Sequence, residues 1–166
     1  QVWYKDHWED LQMRKETIKV KGKPDHILEV KKSRHGYIMN GIMNDVKDYS
    51  DPIALWWVYY QFPSRHMQVF YNLSHAGDVH EAAQAVEPLT APGLNFMWAD
   101  TAGNIGWWAA GKIPARPLHV NPQVILDGSS GNDDPTGWLE FRDNPQIINP
   151  SRGVLYTANN QPDDMG

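Results

Sequence analysis

The residues with the clearest capacity for chemistry stand near the end of the chain. There Gly153–Ala158 (GVLYTA) reads as a strand that delivers Asn159 and Asn160 at its C-terminal end. A side-chain amide placed at a strand end can be aimed into a cleft, where its N–H₂ stabilises an oxyanion developing at an acyl carbon. The same pair, followed by Gln161-Pro162, also suits the opening of a turn. Residue types alone leave both readings standing.

Other chemistry-bearing types fall into patterns that carry less. Of the seven histidines, His75 and His80 are five apart and His66 lies nine before His75, so no i,i+4 pair and no H-E-x-x-H exists. The expectation for metal ligands is therefore none. Asp127, Asp133 and Asp134 fall in DGSSGNDDPTG, whose spacing departs from a calcium loop and whose composition is that of a solvated one. No G-x-S-x-G, phosphate loop or dinucleotide fingerprint occurs. With no cysteine there is no catalytic thiol and no disulfide, so the motifs reveal no nucleophile in this chain.

Length and charge narrow the class. The 166 residues can bury a sizeable core, and the net charge of −5 with scattered Lys and Arg argues against a nucleic-acid partner. The densest basic run, Lys19–Lys23 with Lys31, Lys32 and Arg34, alternates with apolar residues and reads as a solvated strand face. No apolar run is long enough to span a membrane, and no membrane partner is expected. Eight Trp, twelve Pro and thirteen Gly favour a sheet-and-loop protein over a helix bundle.

The elements that must position Asn159 are mostly strands. Glu16–Lys21 and His26–Arg34 alternate around the turn Gly22–Asp25, and Tyr37–Met39 resumes the pattern after His35-Gly36. Ile53–Tyr60 (IALWWVYY) is a continuous apolar run, expected as a strand buried on both faces. Two short helices are expected, one opened by Pro63-Ser64 with Ser64 as cap. The other covers Val79–Val86, with Asp78 as N-cap, Glu81 completing a capping box and Pro88 ending it. Leu94–Asp100 and Ile105–Ala110 form a hairpin around Thr101–Asn104, expected at the centre of a sheet. Val124–Leu126 is a further short strand. The expected fold class is α+β and sheet-rich, mostly antiparallel, and nothing splits residues 1–166 into more than one domain.

APGLNFMWADTAGNIGWWAAGKIPAR, over residues 91–116, resembles the N-x-x-x-A-D-x-x-G-N-I-G-x-x-x-x-G-x-x-P-x-R stretch of the penicillin acylase (penicillin amidase) family. Upstream, ETIKVKG and KKSRHG are similar to its E-x-I-x-V-K-G and T-R-H-G-P segments. Downstream, GWLEFRDNPQIINPSRGVLYTANNQP is similar to its tryptophan-to-asparagine segment. Three blocks in the family's order cover almost the whole chain. Tyr37 departs from the family's Pro after His-Gly, and Trp56 from the Arg common before Trp.

The resemblance implies part of the αββα sandwich of N-terminal nucleophile hydrolases, matured into an α and a β subunit. In that family the first residue of the β subunit, a Ser, attacks an amide with its own α-amino group as base. An Asn of the A-N-N segment completes the oxyanion hole. Only that role lands here, on Asn159, with Asn160 a candidate for substrate contact and the nucleophile lying before Gln1. The chain is then an incomplete, internal segment of a β subunit, inactive alone. Its partners are the remainder of that subunit, the α subunit and a small-molecule amide of penicillin or acyl-homoserine lactone type. The segment itself carries no cofactor, some family members bind calcium, and the location implied is periplasmic or secreted. The rival reading is a non-catalytic module whose exposed aromatics, Trp3, Trp8 and Trp138, grip a sugar or peptide.

Overall fold

The computed structural model describes residues 1–159, which form two compact units. One comprises Gln1–Trp57 with Ile125–Asp133, the other Val58–Val124 with the residues from Asp134 onward.

In the first unit, β1 (Val2–Tyr4) and β2 (His7–Glu9) make a tight hairpin that pairs Trp3 with Trp8, their rings edge to face at 5.4 Å. Lys5 closes it in the left-handed region at φ 54°. The Lys5 N–H also donates to the Ser129 carbonyl at 2.6 Å, tying the loop of residues 125–133 to this ribbon. Asp127 organises that loop by accepting from the Ser129 hydroxyl at 2.6 Å and the Ser129 N–H at 2.8 Å. The Ser129 hydroxyl, then that of Ser130, holds the Asp127 carboxyl down to about 2. A depressed folded-state value means that the loop's stabilisation is present above the ordinary 3.8 and is lost as pH falls toward 2. An NMR titration should place the Asp127 midpoint near 2, and a midpoint near 3.8 would contradict this hydrogen-bonding.

β3 (Gln12–Ile18), β4 (His26–Ser33), β5 (Gly36–Ile38) and β6 (Ala54–Leu55) form an antiparallel sheet in that order. β3 starts four residues before the expected Glu16 and stops at Ile18, because its ladder with β4 runs from Ile18↔His26 to Gln12↔Lys32. Beyond Ile18 the backbone turns, with the Lys23 N–H on the Val20 carbonyl at 3.2 Å. Every β3 residue is exposed, and Lys15 pairs with Glu29 across the strands at 3.6 Å, in keeping with a solvated face. Gly36 interrupts the sequence pattern for a steric reason. Its φ of +141° and the close approach of β6, whose Leu55 carbonyl oxygen a Cβ would overlap, admit no side chain.

The run Ile53–Tyr60 departs from the expected strand. Only Ala54–Leu55 joins the sheet, because β5 offers just Tyr37 and Ile38 as partners. Val58–Tyr60 then forms a 3-10 turn, with the Gln61 N–H on the Val58 carbonyl at 3.0 Å, and Trp57, Tyr59 and Tyr60 are exposed rather than buried. Val124–Leu126 likewise forms no strand; its three side chains are exposed and no ladder partner faces it among the described residues.

The second unit holds α1 (His66–His75) and α2 (Val79–Val86) against a sheet of β7 (Leu94–Ala99), β8 (Ile105–Ala110) and β11 (Gln146–Ile148), with β8 central. A two-residue ladder joins β9 (Pro114–Ala115) to β10 (Gly137–Trp138). The hairpin falls as expected, with Gly103 at φ +90° and the Asp100 carboxylate accepting from the Asn104 N–H at 2.9 Å. Its first strand, however, lies at the edge of the three-stranded sheet, because β11 pairs with β8 alone.

α2 starts where the sequence places it. The Asp78 carboxylate accepts from the His80 and Glu81 N–H groups at 2.8 Å each, while Glu81 reaches back to the Gly77 N–H at 2.7 Å. Asp78→Ala is expected to cost about 0.5–2 kcal/mol, read by urea unfolding. Ser64 does not cap α1. Arg65 occupies the N-cap, and the Ser64 hydroxyl donates instead to the Ala91 carbonyl at 2.8 Å, fastening the helix start to the chain before β7.

The core joins Val69 of α1 and Val79, Ala82 and Val86 of α2 to Leu89, Phe96, Trp108 and Ala110. Trp108 lies over Gly106, where a Cβ would sit 2.5 Å from the indole and 3.0 Å from Val79. Gly106→Ala should therefore destabilise by about 1–3 kcal/mol, because neither the buried ring nor α2 can withdraw. Urea unfolding checks this, and an unchanged midpoint would contradict the close approach.

Candidate functional site

Residues 153–158 do not form the expected strand. No strand partners them among the described residues, since β11 already occupies the free side of β8. The Gly153 N–H bonds locally to the Pro150 carbonyl at 2.8 Å, and Tyr156 stands exposed. Gly153, Val154 and Leu155 form one wall of a cleft of about 370 Å³, and Met97, Trp98, Ala99 and Ile105 form the other. The cleft is largely apolar, with the Trp98 indole N–H buried beside it and without a partner among the described residues.

Asn159 follows that wall by four residues. Its backbone is left-handed at φ 57°, a conformation asparagine tolerates better than most residues, and its N–H donates to the Thr157 hydroxyl at 3.3 Å. The side-chain amide is exposed and makes no hydrogen bond among the described residues, so its two donors are available. Asn160, the neighbouring candidate, lies outside the described residues.

Two asparagines that look like turn formers do more than turn the chain. Asn144 donates to the Ala109 and Gly111 carbonyls at 3.0 Å each, and Asn149 accepts from the Ile105 N–H at 2.9 Å. They bracket β11 and lock it to both ends of β8, immediately before the segment that carries Asn159. The one local signal for this is that each stands directly before a proline.

The remaining candidates stay apart. Among the described residues no three His, Asp or Glu side chains sit together in a group able to hold a metal ion. His7 is raised by its hydrogen bond to Asp6, a surface pair with Glu9 nearby. Trp3 and Trp8 are exposed as expected, whereas Trp138 is half-buried and meets Phe62 edge to face at 4.8 Å. Among the described residues no helix is long and apolar enough to cross a membrane.

This sheet-rich, antiparallel architecture with two helices is that of an acylase fold. It resembles the thermostable penicillin G acylase from Alcaligenes faecalis with a TM-score of 0.76 at 24% identity, over 98% of this chain and 28% of that one. An acyl-homoserine lactone acylase, QuiP, of Pseudomonas fluorescens is 31% identical over 156 residues, which is 92% of this chain and 18% of that protein. Penicillin acylase 2 proenzyme of a Pseudomonas species is 28% identical over 159 residues, 94% of this chain and 20% of the relative. The penicillin amidase family model matches residues 1–166, and the chain belongs to that family. It spans about a fifth of the length of these curated relatives.

Proposed function

We propose that this chain is an internal β-subunit segment of an amidohydrolase of penicillin acylase type, and that Asn159 donates its side-chain N–H to the oxyanion. One observation carries the reading: the family match runs through the whole chain and includes the Ala-Asn-Asn segment, where the Asn159 amide is unengaged among the described residues. Support for a larger, processed parent comes from the proenzyme name of one relative and from the share of each relative that the chain spans.

In the proposed reaction a serine hydroxyl, outside these residues, adds to the amide carbonyl, and its proton passes to the serine's own amine. The carbonyl oxygen becomes an oxyanion that Asn159 and a backbone N–H stabilise. Collapse breaks the C–N bond, the amine leaves with a proton, and water releases the acyl group from the serine. The substrate class is an acylated small molecule of penicillin or acyl-homoserine lactone type, and the site of action is the periplasm or beyond the cell. Calcium, bound by some family members, finds no group of three or more His, Asp or Glu side chains able to hold it among the described residues.

The test is amine release from an N-acylated β-lactam and from an N-acyl-homoserine lactone by the full-length protein and by the 166-residue chain. Turnover is expected from the first and none from the second. Hydrolysis by the 166 residues alone, or inactivity of the full protein on every acyl amide, would overturn the reading.

A further inference from the structure

Two cations on the Gly111–Pro117 stretch have no counter-charge among the described residues. Lys112 and Arg116 are both half-buried, and neither side chain makes a hydrogen bond, ion pair or ring contact among the described residues. The contrast lies with Arg14, Lys15 and Arg34, which stand on or beside the first unit's sheet, each paired with a glutamate at 3.6 Å or closer. A guanidinium taken partly out of water without an anion loses hydration that nothing replaces.

The backbone that presents Arg116 is fixed. Ala115 pairs with Gly137 in the β9–β10 ladder, and its carbonyl takes both the Thr136 N–H at 2.8 Å and the Thr136 hydroxyl at 3.2 Å. Trp138, the other β10 residue, is anchored against Phe62. A planar five-donor fork held on a rigid ladder matches the two oxygens of a carboxylate. We infer that Arg116 is a carboxylate-binding position, filled in the working enzyme by a carboxylate on the substrate's amine portion or by an Asp or Glu of the parent protein. Burial, with no acid opposing it, also pulls the Arg116 pKa below its ordinary value, as expected of a cation awaiting its partner.

This rests on the reading of the chain as part of an amide hydrolase. The test therefore uses the full-length enzyme, with Arg116→Met and Arg116→Lys beside the wild type. Two amides sharing one acyl group are assayed, one with a carboxylate on its amine portion and one without, and each protein is melted. A substrate carboxylate is indicated if R116M raises KM roughly tenfold to a hundredfold for the carboxylate-bearing amide alone. An internal carboxylate is indicated if KM holds for both amides while R116M melts several degrees lower and R116K keeps most of the wild-type value. Unchanged KM with an unchanged or higher melting point in R116M overturns the inference. So does an equal fall in both variants, which would mark packing of the side chain rather than its charge. Inactive wild-type enzyme would instead fail the proposed function, and the melting comparison would still read Arg116.

Discussion

Replacing Trp108 by alanine is expected to cost about 3–5 kcal/mol, enough to remove much of the 5–15 kcal/mol that holds an ordinary domain together. Trp108 is fully buried, and its ring is the largest side chain in the core cluster of the second unit. It bridges the sheet to both helices: Phe96 stands opposite it across the β7–β8 ladder, and Val69, Val79 and Val86 close over it. Truncation would leave a cavity whose walls are a sheet and two helices, none of which can collapse inward without breaking its own hydrogen bonds. Trp108→Phe should lose much less, because it keeps an aromatic ring and removes an indole N–H that is buried without a partner among the described residues. Urea unfolding of the two variants checks both statements. A loss below about 1 kcal/mol for the alanine variant would mean that the sheet and helices are held elsewhere.

Much of this second unit was legible in the residue order because its signals are local. The Leu94–Ala99 and Ile105–Ala110 hairpin combines strict alternation with an Asp100–Asn104 turn whose own side chains close it. α2 declares itself through Asp78 and Glu81, each within reach of the helix start. What failed depends on partners far away in the chain. Ile53–Tyr60 has strand composition, but a strand needs a neighbour, and β5 supplies two residues of one. Gly153–Ala158 has the same deficit, because β11 takes the place beside β8 that it would need.

Ser64 shows the failure in miniature. A serine two residues before a helix looks like a cap, yet its hydroxyl finds the Ala91 carbonyl, 27 residues on, a contact no local rule anticipates. Asn144 and Asn149 were visible only as residues before prolines, although they clamp β11 to β8. Arg116 stands in the sequence as the last fixed letter of the resembling stretch, and a role for its charge emerges only when no acid is found beside it among the described residues.

The family resemblance supplies what residue patterns could not, the role we propose for Asn159. The structure presents that residue on left-handed backbone after an irregular segment, four residues beyond a largely apolar cleft wall, rather than at the end of a strand. An oxyanion donor requires an amide held in place with its N–H uncommitted, and the second condition is met among the described residues. The Asn159 backbone N–H donates to the Thr157 hydroxyl, and further back the Asn149 contact fixes the end of β11.

The decisive measurement is kcat for Asn159→Ala in the full-length protein against the wild type on one acyl amide, with thermal unfolding run on both. Loss of one oxyanion donor removes about 3–4 kcal/mol of transition-state stabilisation, so kcat should fall roughly a hundredfold to a thousandfold while the melting point holds. Turnover within a few-fold of wild type, at an unchanged melting point, would contradict the role assigned to Asn159.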